Sequence, residues 1–216
     1  IHVPDGHSTF NVKAVFGPCA DGRFGGNINR AYMVNNFFAT LETKAVAWQE
    51  SKWTQFGKVE KGRIVCAREV LVDGVNGSAV GLMQMIPRWW PEGYNSELQR
   101  DIELGDLCTG TGYRGCETYN KDLGEDIWSN RRARALSEIG IYNPNAEQRL
   151  KETAAKYHGG NSHIYWDRSA LQNNNPPQWV PSSNPSYSGD ISYADEVWGH
   201  HQNQTWNDHL DCLCGS

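Results

Sequence analysis

The sequence predicts an α+β fold that is mainly α-helical. Apolar residues recur at helical spacing in segments 34–48 and 127–139, and a further run around Leu150 has the same character. Between the first two segments, residues 57–80 mix Val and Ile with Gly and charge, which indicates a small β-region. With 216 residues, 38% of them hydrophobic, the chain is long enough for one domain with its own core.

The first predicted helix begins near an asparagine and carries a glutamate in its last turn. Asn27 or Asn29 is the expected N-cap, and the helix is expected to run to about Trp53. Its apolar stripe has members three or four residues apart: Val34, Phe37, Phe38, Leu41, Ala45 and Trp48. Glu50 lies in the last turn, where the negative end of the helix dipole favours a protonated carboxyl group, and burial beside Trp48 or Trp53 would favour it further.

The predicted β-region follows this helix. Short strands are expected at residues 64–65 and 70–72 and at Val75, and Asp73-Gly74 is a hairpin-turn signal. Residues 81–86 then form a short apolar segment, which the following proline ends.

Three further helices are predicted in the second half of the chain. One covers 121–139, and the next begins at Asn143 or Asn145 and ends at the glycines of segment 157–160. The last covers 191–206. We interpret residues 172–190 as a surface loop, residues 1–26 as an irregular arm tied down through Cys19, and residues 27–216 as a single domain.

The cysteines indicate an oxidising compartment. An even number without a paired Cys-x-x-Cys fits up to three disulfides better than a zinc site. These residues are Cys19, Cys66, Cys108, Cys116, Cys212 and Cys214. The chain begins with Ile1, which suggests removal of a leader, and Asn76 and Asn203 stand in glycosylation sequons. We therefore expect a secreted, extracellular protein stapled by disulfides.

Charge and motifs exclude several classes of function. The net charge of −5 argues against a nucleic-acid binder, which would carry a basic stripe. No apolar run approaches the roughly 20 residues of a membrane span. A phosphate loop and a dinucleotide fingerprint are both missing, so no cofactor is expected. No metal is expected, because the candidate ligands lack the spacing of a helix-face pair: His200, His201, Asp208 and His209. We also expect a monomer.

Four short motifs carry the functional signal. They are Glu50-Ser51, then Gly81-Leu82-Met83-Gln84 with Pro87, then Ala154-Ala155-Lys156-Tyr157-His158-Gly159-Gly160, and finally Tyr193-Ala194-Asp195-Glu196-Val197. In this order they resemble the motif series of lytic transglycosylases and goose-type lysozymes. The resemblance covers roughly residues 30 to 206. It implies a lysozyme-like, mainly helical fold with a small β-region, and cleavage of a glycosidic bond.

The resemblance also implies roles for particular side chains. Glu50 would be the general acid that protonates the leaving oxygen, and the base in a second step if the reaction is a transglycosylation. Substrate contacts would come from Ser51, Met83, Gln84, Tyr157, His158 and Tyr193. Five of these have an ordinary structural alternative: a helix-end serine for Ser51, a backbone-stabilising glutamine for Gln84, and core packing for Met83 and the two tyrosines.

The sequence departs from the family pattern at two positions. His158 stands where the family usually has Asn, and Ile86 stands where goose-type lysozymes often carry Asp. An inverting hydrolase needs a second carboxylate to activate water. Asp73 is the best candidate on the β-region, although a hairpin-turn aspartate is an equal interpretation, and Glu60 and Glu69 are weaker candidates.

These departures leave alternatives open. A muramidase would hydrolyse the β-1,4 linkage between N-acetylmuramic acid and N-acetylglucosamine in peptidoglycan, whereas a lytic transglycosylase would leave an anhydro-sugar end. The acidic charge also allows a neutral polymer such as chitin. A glycan-binding module that kept the fold and lost activity is the alternative from another class.

Overall fold

The computed structural model describes residues 38–53, 56–61, 63–70, 72–73, 79–86, 116–160 and 165–204. These residues are mainly helical, which confirms that part of the predicted fold class. The helices are α1 (Leu41–Ser51), α2 (Cys116–Ile139), α3 (Ala146–Gly159), α4 (Arg168–Asn173) and α5 (Ser188–Asn203). Short 3-10 turns at Gly140–Tyr142 and Pro185–Tyr187 precede α3 and α5.

The described residues divide into two compact units. The first contains residues 38–40, the described part of 47–86, and 116–124; the second contains 41–46 and 125–204. The predicted arm at 1–26 lies outside the described residues, and the single domain expected over 27–216 stays a prediction.

Helix α1 is shorter than predicted. Residues 38–40 are bends, so the helix begins at Leu41, and the expectation of one continuous helix from Asn27 or Asn29 is wrong at this point. Thr40, a residue type favoured at N-caps, and the acidic Glu42 in the first turn are typical of a helix start. The caps proposed at 27 and 29 lie outside the described residues.

Within the described part of the β-region there are two antiparallel pairs of strands. Strand β1 (Phe56–Glu60) pairs with β2 (Arg63–Val70), and β3 (Val72–Asp73) pairs with β4 (Ala79–Val80). The predicted strands at 64–65 and at 70 and 72 fall within β2 and β3, whereas Val75 lies outside the described residues. Asp73 is the last residue of β3, with its backbone paired to Ala79, and Gly74 of the predicted Asp73-Gly74 turn lies outside the described residues.

Helix α3 shows why its bounds were predictable. The Asn145 side chain accepts from the Gln148 backbone N–H, and the Gln148 side-chain oxygen accepts from the Asn145 backbone N–H. Together the two hydrogen bonds form a capping box. Gly160 ends the helix with φ of +80°, a conformation that glycine adopts without strain. Helix α3 packs against α5, and the buried small residues Ala154, Ala155, Ala194 and Val197 lie on these two helices.

Helix α5 is displaced along the sequence from its prediction. It begins at Ser188, directly after the 3-10 turn, and ends at Asn203, where Gln204 takes a left-handed φ of 46°. The predicted start at Ile191 is therefore three residues late. The segment predicted as a surface loop, 172–190, includes the end of α4, the 3-10 turn and the start of α5.

The buried face of α3 carries a glutamate and a lysine one turn apart. Glu152 and Lys156 are almost completely buried. Lys156 Nζ lies 2.9 Å from Glu138 Oε2 and 3.7 Å from Glu152 Oε1, and the Trp166 backbone N–H donates to Glu152 Oε2 at 3.1 Å. Burial raises the pKa of Glu152 to about 7, because it outweighs the hydrogen bond and the nearby ammonium group.

Candidate active site

The predicted site residues fall into two groups, one in each compact unit. Glu50, Ser51, Met83 and Gln84 belong to the first unit, and Tyr157, His158 and Tyr193 belong to the second. The side chain of Asp73 lies outside the described residues, as do the side chains of all six cysteines.

Glu50 occupies the last turn of α1, as predicted, and is half-buried. Two tryptophans of the same segment, Trp48 and Trp53, are both buried and meet edge to face with ring centroids 5.0 Å apart. Lys52 places Nζ 5.5 Å from the centroid of the Trp48 ring. The catalytic candidate therefore stands where an aromatic pair is packed against the helix end.

Ser51 connects the first two motifs. Its Oγ donates a hydrogen bond of 2.7 Å to the backbone carbonyl of Leu82, 31 residues further along the chain, and also lies 3.3 Å from the Ala47 carbonyl. The serine is almost fully buried, so its side chain faces protein rather than solvent. This geometry favours a role in fixing the Gly81–Gln84 turn to the end of α1.

Replacing Ser51 by alanine should destabilise the protein by about 1–2 kcal/mol, because the buried Leu82 carbonyl loses its donor at 2.7 Å. Urea unfolding followed by tryptophan fluorescence measures this change. Ser137→Ala is the matched control, since Ser137 Oγ also donates to a backbone carbonyl at 2.7 Å but is exposed. We expect a change within about 0.5 kcal/mol for the control. Equal losses in the two variants would contradict the role given to Ser51.

Gln84 is the last residue of the turn, and the amide group of its side chain is only partly hydrogen-bonded within it. Its Nε2 donates to the Gly81 carbonyl at 2.8 Å, and its backbone N–H donates to the same carbonyl at 3.1 Å. Its Oε1 is buried and has no hydrogen-bond partner among the described residues. A buried carbonyl oxygen of this kind is normally satisfied by a water or ligand donor. Gln84 Oε1 is therefore a buried acceptor whose donor does not come from the described residues.

The backbone around this first group is strained. Lys52, Trp53 and Gln84 have φ values of 52°, 59° and 47°, in the left-handed region that side chains other than Gly, Asn and Asp seldom adopt. Such residues persist only where the surrounding structure holds them, and they cluster at functional sites. Two of the three directly follow Glu50-Ser51, and the third ends the turn that Ser51 holds.

Met83 has a packing role in this structure. Its side chain is fully buried, and a Cβ added to Gly124 of α2 would lie 2.6 Å from Met83 Cγ. The close approach requires glycine at position 124, because a methyl group would overlap the methionine. Met83 therefore supports the turn that carries Gln84, and its side chain is not presented to solvent.

The second group lies where α3 ends beside α5. Tyr157 is buried and its ring centroid lies 5.8 Å from that of Trp128. His158 stacks on Tyr193, with ring centroids 4.5 Å apart and planes 23° apart. His158 Nδ1 also lies 2.7 Å from an oxygen of Asp190, in the first turn of α5. The third and fourth motifs thus meet through His158 and Tyr193, and Asp190 joins them without having been predicted.

Among the described residues, no three His, Cys, Asp or Glu side chains are grouped so that they could hold a metal ion. The same part of the chain contains no helix with the length and apolar character needed to cross a membrane.

No protein-family model, curated protein or solved structure matches the chain.

Proposed function

We propose that this chain is a secreted enzyme that cleaves the β-1,4 glycosidic bond of bacterial peptidoglycan, with Glu50 as the general acid. The observation that carries the proposal is the hydrogen bond from Ser51 to the Leu82 carbonyl. It joins the residue next to the acid to the turn that ends in Gln84, so two motifs far apart in sequence form one structural unit.

The chemistry requires a carboxyl group that holds a proton and releases it to the leaving oxygen. A half-buried glutamate in the last turn of a helix suits this need, since partial burial and the negative end of the helix dipole both disfavour the carboxylate. As the glycosidic bond breaks, its electron pair goes to the leaving oxygen, which takes the proton from Glu50, and positive charge develops on the sugar ring.

The second half of the reaction determines the product. In hydrolysis, water adds to the ring and its proton goes to a carboxylate. In transglycosylation, a hydroxyl of the same sugar adds instead, and Glu50 recovers the proton from it. Asp73 is the proposed second carboxylate for hydrolysis, and its strand β3 ends at this residue.

The proposed glycan contacts rest on the resemblance to lytic transglycosylases and goose-type lysozymes, and the proposed location rests on the cysteines. Gln84, Tyr157, His158 and Tyr193 would contact the glycan, and the mainly helical fold with its short strands is consistent with a lysozyme-like architecture. The even number of cysteines supports disulfide staples and an extracellular location.

Digestion of purified peptidoglycan, followed by mass spectrometry of the soluble fragments, tests the proposal. We expect release of disaccharide-peptides. Anhydro-muramic ends would identify a transglycosylase, and reducing ends a hydrolase. A parallel digestion of chito-oligosaccharides tests the chitin alternative. Binding without cleavage of either polymer would instead indicate an inactive glycan-binding module and contradict the enzymatic proposal.

A further inference from the structure

The imidazole of His158 is held by α5 from two sides. Its Nδ1 lies 2.7 Å from Asp190 Oδ1, and its ring stacks on the ring of Tyr193 one turn further along the helix. Asp190 is buried, with 7% of its side chain exposed, whereas 46% of the His158 side chain is exposed. A buried carboxylate therefore orients a ring that remains accessible to solvent.

The hydrogen bond fixes which nitrogen of the neutral ring carries the proton. An ionised carboxylate only accepts hydrogen bonds, so Nδ1 must be the donor. In a neutral imidazole with its proton on Nδ1, Nε2 is left with a lone pair and acts as an acceptor.

We propose that Asp190 is a positioning residue that holds His158 in the Nδ1–H tautomer, so that Nε2 accepts a hydrogen bond from a hydroxyl or acetamido N–H group of a bound glycan. The inference deepens the proposed function and rests on it for the identity of the ligand.

This arrangement changes the kind of group that can be recognised. The asparagine usual at this position in the resembled family offers both a donor and an acceptor, whereas the positioned neutral imidazole offers an acceptor alone. The site in this chain would therefore select a donor on the sugar. Tyr193 restrains the ring plane by stacking, which limits the directions from which that donor can approach.

A histidine retained only for packing would show a different pattern. Its ring would be covered, and its polar atoms would be satisfied within the protein. Here the stacked and hydrogen-bonded parts of the ring are covered by α5, yet nearly half of the side chain is exposed. The contacts that orient the ring thus lie on the side that faces α5, and the exposed side is left for a ligand.

Long-range ¹H–¹⁵N spectra of the full chain test the tautomer directly. We expect the His158 signals, assigned by their loss in His158→Gln, to show a protonated Nδ1 and a bare Nε2 when the ring is neutral. In Asp190→Asn the amide can donate to a bare Nδ1, so the Nε2–H tautomer should become populated. A wild-type ring protonated on Nε2 would overturn the proposal without reference to any activity.

Calorimetric titration with the β-1,4 tetrasaccharide of N-acetylglucosamine tests the ligand contact. Glu50→Gln serves as the background in every sample, which prevents cleavage during the measurement. We expect Asp190→Asn to weaken binding about tenfold, the equivalent of one lost hydrogen bond. Asp126→Asn, the same chemical change at an exposed position in the same compact unit, should leave the affinity unchanged.

The outcomes separate this inference from the proposed function. If peptidoglycan is not cleaved but the tautomer and the tenfold loss are observed, the enzymatic proposal fails and the positioning role stands. If peptidoglycan is cleaved and the tautomer is as expected, but Asp190→Asn binds the tetrasaccharide as tightly as its background, the ligand contact of Nε2 is overturned.

Discussion

Replacing Glu50 by glutamine should lower the rate of peptidoglycan cleavage about 1,000-fold, because the amide keeps the shape of the side chain but has no proton to give the leaving oxygen. Glu50 is half-buried in the last turn of α1, so the substitution changes the chemistry at this position more than its packing. The rate is measured as loss of turbidity of a bacterial cell suspension and, independently, as release of soluble disaccharide-peptides.

The control for this variant is Asp126→Asn, which removes one negative charge from an exposed position on α2. It should clear the suspension at the wild-type rate. Both variants should unfold at the wild-type urea concentration, which separates loss of the acid from loss of the fold. Equal clearing by Glu50→Gln and wild type would show that Glu50 is not the proton donor.

The parts of the fold that local chemistry determines could be predicted from sequence. Helix α3 is the best case, because the capping asparagine Asn145 and the terminal Gly160 lie within the segment that they delimit. The start of α1 was not predictable from its apolar stripe, since Phe38 is buried yet lies outside the helix. An apolar residue before a helix can serve the core as well as one inside it, and periodicity does not distinguish the two.

The candidate site shows the same limit at longer range. Glu50 could be proposed from its own segment, because it stands in the last turn of an apolar helical pattern, but the partner of Ser51 lies 31 residues away. Asp190 was missed because the last helix was predicted to begin at Ile191, which left the aspartate in a loop. With the helix beginning at Ser188, Asp190 stands one turn before Tyr193, and both reach His158.

Glu152 gives the second large expected effect, a change in how stability depends on pH. Its side chain is completely buried, and among the described residues its Oε1 has no hydrogen-bond partner, with Lys156 Nζ 3.7 Å away. Burial raises its pKa from 4.5 to about 7. Between these two pH values, the folded protein retains a proton on Glu152 that the unfolded chain has released.

The sign of the effect follows from this proton. Because the folded state binds more protons than the unfolded state, the free energy of unfolding falls as pH rises through the window from 4.5 to about 7. The contribution of Glu152 is fully present below pH 4.5 and is lost above about pH 7. The interval corresponds to about 3 kcal/mol, at about 1.4 kcal/mol per pH unit.

Glu152→Gln should remove this dependence, because the amide does not titrate and its carbonyl oxygen can still accept from the Trp166 backbone N–H. Urea unfolding of both proteins from pH 4 to pH 8 provides the test. Groups that titrate in both proteins cancel in the difference, so the stability of wild type relative to the variant should fall by about 3 kcal/mol across the series.

Glu147→Gln is the control on the same helix. Glu147 is paired with Lys151 at 2.6 Å, but its side chain is 42% exposed, so solvent weakens that ion pair and its removal should shift the curve by less than about 1 kcal/mol. If the wild-type and Glu152→Gln curves ran parallel over this range, Glu152 would be ionised in the folded protein at pH 5. The cost of burying the Glu152 carboxylate would then be compensated by Lys156. The two residues would form a buried salt bridge, and Glu152 would not bind a proton in this pH range.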